Sequence, residues 1–189
     1  MSQELMTPDA FLDHLSNLFA AHGQVKDIGN RISNADHMLQ AAAAANATGA
    51  GAHLVAASLL HDIGHWLHSG PDDATAQGHD DCHEKIAADY LAPYFNAAVL
   101  APIALHVAAK RYLCAVEPDY LKALSRGSMR TLEIQGGPMN TKEVADFEAE
   151  PGYQDAVALR RWDEYGKELG RDVPGFDTYR TTMRGQMKA

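Results

Sequence analysis

The stretch that decides the fold is residues 54–70, LVAASLLHDIGHWLHSG. Its first half is apolar or small on every side, which is typical of a helix buried in a protein core. The run then ends in His61 and Asp62, and further histidines follow at positions 65 and 68. Since a buried helix can present the side chains of its last turn to a pocket, this stretch predicts a helical core with a site at one helix end.

The rest of the chain also favours helices over strands. Apolar residues recur at helical spacing, and the alternation typical of strands is nearly absent. Capping residues mark two helix starts, at Thr7-Pro8 and at Ser33. Residues 126–140, RGSMRTLEIQGGPMN, are interpreted as a structured loop because they contain two adjacent glycines and a proline. These patterns predict an all-α fold of roughly seven to nine helices.

Length and charge restrict the function. A chain of 189 residues is the size of one domain, so residues 1–189 are expected to form a single helical bundle with its core at about 33–179. The net charge is −9, from 16 basic and 25 acidic residues, which argues against general binding to nucleic acids or anionic membranes. A small anionic substrate stays compatible with this charge, because a local cluster of Lys and Arg can override the global sign.

The cysteine content and the N-terminal sequence favour the cytoplasm. Cys82 and Cys114 are too few for a disulfide framework. The first residues, MSQELMTPDA, lack the pattern of a signal peptide. The apolar runs stay shorter than the ~20 residues that a membrane-spanning helix needs. We therefore expect a cytoplasmic protein, and the sequence indicates no particular oligomeric state.

Side chains that can bind metal recur among the apolar helical segments. A single buried histidine is readily satisfied by a backbone carbonyl, but four of them with an adjacent His-Asp pair are explained at once by a shared metal site. Nitrogen and carboxylate ligands without paired cysteines suit Fe, Mn, Co or Ni and disfavour a thiolate zinc site. The carboxylate of Asp62, which follows His61, has two oxygens and can bridge two metals. The candidate ligands are His37, His61, Asp62, His83, His106 and Asp163.

In chain order these candidates contain the pattern H…HD…D. The sequence thereby resembles the HD-domain superfamily, which implies a helical bundle that encloses a dinuclear metal site. The resemblance implies a first metal bound by His37, His61, Asp62 and Asp163. It implies a second metal bound by His83, His106 and the bridging Asp62.

The sequence around these ligands favours one branch of the superfamily. Most HD-domain proteins are phosphohydrolases, whereas a smaller branch, which resembles inositol oxygenase and the phosphonate oxygenases PhnZ and TmpB, uses a mixed-valent di-iron centre and O2. The pattern of that branch extends from residue 33 to residue 179, through the segments HDIGHWL, HVAAKRYL, QGGPM and LRRWDEY. The resemblance implies that the phosphonate group is bound by His65, Lys110, Ser128 and Arg160.

These four side chains also suit an anion on chemical grounds. Arg gives a forked donor, Lys a point charge and Ser a neutral donor. Lys110 follows His106 by four residues and Arg160 precedes Asp163 by three, so each lies one helical turn from a candidate metal ligand. An isolated basic residue is more often a solvated surface charge, but because this spacing occurs twice we expect both residues to face the site.

The resemblance also implies a substrate. The branch cleaves 1-hydroxy-2-aminoethylphosphonates with O2 into phosphate and a carboxylic acid. Loop 24–32, interpreted as an active-site lid, departs from the pattern, because Asp27 and Asn30 stand where related enzymes have a Tyr and a Glu. Glu suits a primary ammonium, whereas a trimethylammonium donates no hydrogen bonds and is bound by aromatic faces and diffuse negative charge. We therefore predict 1-hydroxy-2-(trimethylammonio)ethylphosphonate as the substrate and glycine betaine as the product, or the closely related primary amine and glycine.

Three other functions remain open on the residues alone. A phosphohydrolase of the same superfamily would use nearly the same ligands with a metal-bound hydroxide and would need no O2. A binding or regulatory module would keep the metal only for structure. Oxidation of a polyol, as in the inositol branch, would leave Lys110 and Arg160 without a phosphonate to bind.

Overall fold

A computed structural model describes residues 5–22, 32–67 and 80–188. Within these ranges the chain forms eleven α-helices and one 3-10 helix, Phe176–Tyr179. The described residues contain no strand, only an isolated antiparallel bridge between Phe95 and Met187. The prediction of an all-α fold is confirmed. The α-helices are α1 Pro8–His22, α2 Asn34–Ala47, α3 Ala52–Leu60, α4 Gly64–Leu67, α5 His83–Leu91, α6 Ala97–Val116, α7 Pro118–Ala123, α8 Arg126–Ile134, α9 Thr141–Glu148, α10 Tyr153–Tyr165 and α11 Arg180–Arg184.

Helix α6 lies at the centre of the bundle. It packs against α10, α5 and α3, and α2 closes the far side by packing on α3 and α10. By length and composition alone α6 could cross a membrane, but half of its most apolar window is buried within the bundle. Its buried face includes Ile103, Val107 and Leu113 together with the polar residues His106 and Lys110. The core helix therefore presents two of the candidate site residues from the inside of the protein.

The small residues of α2 allow a second helix to approach closely. The hydroxyl of Ser33 accepts a hydrogen bond from the backbone of Asp36 at 3.0 Å and so begins the helix as the sequence predicts. At the end of α10, a Cβ on Gly166 would lie 2.9 Å from the backbone nitrogen of Ala41 and 3.1 Å from the carbonyl oxygen of His37. Glycine is therefore required where the end of α10 contacts the backbone of α2.

The sequence-based count of seven to nine helices was wrong, because three short helices were missed. The most important is α8, which replaces the loop expected at residues 126–140. The Ser125 hydroxyl caps it by accepting from the backbone of Ser128, and Gly136 and Gly137, both with positive φ, follow its end. The paired glycines thus mark the end of a helix. The other two are α4 and α11.

Candidate active site

The structure brings the six candidate metal ligands together at the centre of the bundle. They come from five different parts of the fold, and all six side chains are largely buried. They lie on α2 (His37), at the end of α3 (His61), in the turn that follows (Asp62), at the start of α5 (His83), in α6 (His106) and in α10 (Asp163).

Three of these residues form a first cluster. Nε2 of His37 lies 3.2 Å from Nε2 of His61 and 3.2 Å from Oδ1 of Asp163. The distance from Nε2 of His61 to Oδ1 of Asp163 is 4.0 Å. Two nitrogens and one carboxylate oxygen thus converge on one small volume.

A second cluster lies next to the first, and Asp62 stands between them. Nε2 of His83 and Nε2 of His106 are 3.2 Å apart. Oδ1 of Asp62 is 3.4 Å from Nε2 of His83 and 3.5 Å from Nε2 of His106, while its Oδ2 lies 3.5 Å from Nε2 of His37. Oδ1 also lies 3.5 Å from Nε2 of His61, so this one carboxylate contacts histidines of both clusters.

Hydrogen bonds on the outer sides of the rings fix the direction of all four histidines. Each Nδ1 lies within bonding distance of an oxygen: His37 at 2.7 Å from the carbonyl of Gly166, His61 at 2.9 Å from Ser58, His106 at 2.8 Å from Ile103, and His83 at 2.8 Å from Oδ1 of Asp81. Carbonyl oxygens only accept, so the rings they hold carry a proton on Nδ1, and the neutral rings expose a lone pair on Nε2.

These lone pairs provide a test of whether the residues fit a metal. Two of them facing each other at 3.2 Å repel, unless a cation lies between them. A separation of 3.2 Å is also what two neighbouring ligands have when each lies about 2.1 Å from one metal ion. Imidazoles held from behind by carbonyl or carboxylate oxygens are the usual arrangement at metal centres. The two clusters therefore fit a pair of adjacent metal sites.

The protonation states of His37, His61, His106 and Asp62 agree with this fit, whereas that of His83 differs. Burial lowers the pKa of His37, His61 and His106, so these rings are neutral at pH 7, as metal ligands must be. Burial opposes ionisation of Asp62, but the surrounding histidines hold its pKa well below the usual value. At His83 burial lowers the pKa, but hydrogen bonds to Asp62 and Asp81 outweigh it and raise the pKa to about 10. The position of His83 thus favours a positive charge.

A basic pocket adjoins the ligands. Lys110 and Arg160 are both almost fully buried, at 5% and 3% exposure. Nζ of Lys110 donates to Thr131 at 2.7 Å and to Gln135 at 2.5 Å, so two residues from the α8 region hold the amine. Arg160 donates to the ligand Asp163 and, at 3.0 Å, to the hydroxyl of Ser128. Arg160 and Ser128 therefore form one hydrogen-bond network with the predicted metal ligand Asp163, and Thr131 links Lys110 to it by donating to the carbonyl of Ser128 at 3.2 Å.

Two further residues of this pocket, Lys167 and Glu164, were missed by sequence reasoning. Nζ of Lys167 donates to the hydroxyl of Ser128 at 2.8 Å and to Glu164 at 2.9 Å. Ser128 donates its own proton to Glu164 at 2.7 Å, so its oxygen accepts from the cations. The spacing 160, 163, 164, 167 is that of one helical face and could have revealed both residues. Three basic groups share this pocket with one extra carboxylate, which leaves an excess of positive charge for an anion.

His65 and Asp81 form the remaining side of the site. The carboxylate of Asp81 lies 2.8 Å from Nδ1 of His65 through Oδ2 and contacts His83 through Oδ1. The rings of His65 and His83 stack with centroids 4.0 Å apart. Sequence reasoning missed Asp81, although a carboxylate two residues before a ligand histidine is a recognisable turn signal. Asp27 and Asn30, the predicted residues of the lid, lie outside the described residues.

Comparison with known proteins identifies the family, although no family model matches the chain. A hydroxymethylphosphonate dioxygenase of Gimesia maris is 44% identical over 181 residues, which cover 94% of this chain and 88% of the relative. A glycine-betaine-forming [1-hydroxy-2-(trimethylamino)ethyl]phosphonate dioxygenase of Leisingera caerulea is 35% identical, with 87% and 84% covered. An uncharacterized protein of Acanthamoeba polyphaga mimivirus is 34% identical, with 88% and 77% covered. With these identities over most of its length, the chain belongs to the family of phosphonate dioxygenases and is an oxygenase.

Proposed function

We propose that the protein is a cytoplasmic di-iron oxygenase that uses O2 to break the C–P bond of a 1-hydroxyphosphonate, releasing inorganic phosphate and a carboxylic acid. The observation that carries the proposal is the position of Asp62 between two histidine clusters, next to a buried basic pocket. Both cysteines are free, which supports a reducing compartment. The presence of iron, in a mixed Fe(II)/Fe(III) state, is part of this proposal.

Each residue has a role that follows from its chemistry. His37, His61 and Asp163 would hold one metal. His83 and His106 would hold the other, and Asp62, which contacts both sets, would contribute to both. When bound, the metal pair supplies Lewis acidity and redox chemistry towards O2.

The protein side chains bind and orient the phosphonate. Its charge is neutralised by Lys110, Arg160 and Lys167. Ser128 and Glu164 hold Arg160 and Lys167 in place through hydrogen bonds. His65 completes the proposed set of donors. Because the pocket adjoins the candidate metal ligands, a phosphonate bound there would have its C1 carbon close to the residues that would hold the metals.

Two substrates fit the proposal. The sequence predicts 1-hydroxy-2-(trimethylammonio)ethylphosphonate, on the evidence of Asp27 and Asn30. Hydroxymethylphosphonate is the second candidate, because the relative named for it is 44% identical, against 35% for the glycine-betaine-forming relative. Both compounds carry a hydroxyl on the carbon bonded to phosphorus. A substrate without an ammonium group also has no need of the Glu that is absent from loop 24–32.

The test of the function is an oxygen-dependent release of phosphate. Protein loaded with Fe(II) is mixed with hydroxymethylphosphonate, with 1-hydroxy-2-(trimethylammonio)ethylphosphonate and with its primary-amine analogue, with and without O2. We expect one phosphate and one carboxylate (formate, glycine betaine or glycine) for each O2 consumed. The substrate with the highest kcat/KM identifies the group that the site accepts at C1. Phosphate release that proceeds equally without O2 would refute the proposal in favour of hydrolysis.

The basic pocket predicts how substrate affinity depends on pH. Burial, with Arg160 and Lys167 nearby, lowers the pKa of Lys110 to about 7, and burial with Arg160 nearby lowers the pKa of Lys167 to about 8. Both lysines carry their charge below these values and lose it as the pH rises through them. Since a charge-assisted hydrogen bond contributes about 1.5–3 kcal/mol, we expect KM to rise about tenfold or more between pH 6.5 and pH 9.

The control for this pH profile is Lys110→Arg. A guanidinium stays charged across the range, so the rise in KM should be smaller in this variant than in the wild type. The ionisation of the phosphonate itself is the same in both experiments and cancels in the comparison. Identical KM profiles for the two proteins would show that Lys110 is not responsible.

A further inference from the structure

Asp81 contacts two histidines that belong to different parts of the site. Its Oδ1 lies 2.8 Å from Nδ1 of His83 and accepts from the backbone nitrogen of the same residue at 3.3 Å. Its Oδ2 lies 2.8 Å from Nδ1 of His65. The side chain of Asp81 is only 11% exposed, so solvent competes little for these bonds. One carboxylate therefore holds a candidate metal ligand and a candidate phosphonate donor.

The backbone around Asp81 is shaped to allow this double contact. Cys82 has φ of 51°, in the left-handed region that residues other than glycine rarely adopt, and it turns the chain into α5. On the other side, Gly64 approaches the carbonyl oxygen of His83 so closely that α4 and the start of α5 lie in direct contact. This approach stacks the rings of His65 and His83 above one carboxylate.

We propose that Asp81 is a positioning residue that couples the second metal to phosphonate binding. Its bond to His83 keeps the proton on Nδ1 and leaves Nε2 for the metal, and its bond to His65 fixes the direction of that ring, which is a proposed contact of the phosphonate. The proposal deepens the proposed function and rests on it. One substitution at Asp81 should therefore weaken two separate binding events. Replacement of a residue that contacts only one of the two rings should weaken only one.

The test compares Asp81→Ala, Asp81→Asn and His65→Ala. Affinity for the second Fe(II) is measured by competition with a chelator, and affinity for inorganic phosphate, the product shared by both candidate substrates, by calorimetry without O2. Neither readout depends on turnover. The matched control is Asp89→Asn, which makes the same chemical change at an exposed position of α5.

The two Asp81 variants should differ in a characteristic way. Asp81→Ala loses both bonds, so we expect affinity for the second metal to fall about 10- to 100-fold and phosphate affinity to fall as well. In Asp81→Asn the carbonyl oxygen can still accept both hydrogens of His83, because both point at Oδ1. Its amide can donate to Nδ1 of His65 once the proton of that ring lies on Nε2, so the ring is still held in place. This variant should therefore keep the second metal within a few-fold of wild type and lose less phosphate affinity than Asp81→Ala does.

The positioning role of Asp81 and the proposed oxygenase function can be refuted independently of each other. If Asp81→Ala binds the second metal and phosphate as tightly as Asp89→Asn, the positioning role is overturned. If Asp81→Ala does not fold, as judged by circular dichroism, His65→Ala decides the link to the substrate, and a phosphate affinity there equal to that of Asp89→Asn overturns it. A wild type that binds two metals yet cleaves none of the phosphonates refutes the function, while the affinities of the variants still decide the role of Asp81.

Discussion

Replacement of Asp62 by asparagine should lower turnover about a thousandfold or more and weaken metal binding in both clusters. The carboxylate of Asp62 contacts both clusters, with Oδ2 3.5 Å from His37, and Oδ1 3.4 Å from His83 and 3.5 Å from His61. An amide removes the negative charge and offers one oxygen instead of two, so it cannot bridge. The measurement is metal content per chain together with the initial rate of phosphate release.

Asp163→Asn is the comparison that makes this prediction specific. Asp163 lies near His37 and His61 but belongs to one cluster, so its replacement should release one metal and leave the second. The metal-free form of Asp62→Asn should melt lower than the metal-free wild type at pH 7, because the buried charge of Asp62 is paired with His83, and removing one partner of a buried pair destabilises the fold. An Asp62→Asn protein that keeps two metals and substantial turnover would contradict the bridging role.

The candidate ligands can be selected from the sequence because their signal is local. His61 and Asp62 follow a uniformly apolar helix, and the other candidates are polar residues in segments that are otherwise small or apolar. Such residues need partners inside a core, and a shared site provides them. The helical faces around His106 and Asp163 also follow from spacing alone, so Lys110 and Arg160 could be predicted to lie one turn away.

What holds these ligands in place depends on contacts between distant segments. The bond between His37 and the carbonyl of Gly166 joins residues 129 positions apart, and it exists because glycine lets α10 reach the backbone of α2. Similarly, Thr131 and Gln135 reach Lys110 only because residues 126–134 are helical, which the adjacent glycines concealed. Tertiary packing decides these positions, and one sequence by itself carries little information about it.

Gly64→Ala is predicted to be the most damaging single change of a glycine in the described residues. A Cβ at this position would lie 2.0 Å from the carbonyl oxygen of His83, so α4 and α5 would have to separate. Overpacking of this kind costs about 1–3 kcal/mol, which for a chain of this size lowers the melting temperature by roughly 2–12 °C. Thermal denaturation followed by circular dichroism measures the change.

The same substitution should damage the chemistry more than the stability alone explains. Separating α4 from α5 pulls His65 away from the ring of His83, with which it stacks at 4.0 Å, and disturbs the bonds of both rings to Asp81. Affinity for the second metal should therefore fall even at temperatures where the variant is fully folded. The matched control is Gly175→Ala, because nothing lies within 4 Å of a Cβ there and φ is −72°. If Gly64→Ala loses stability but keeps the second metal as tightly as Gly175→Ala, the α4–α5 contact supports the fold and not the metal ligand, and the role of this contact in the site would have to be withdrawn.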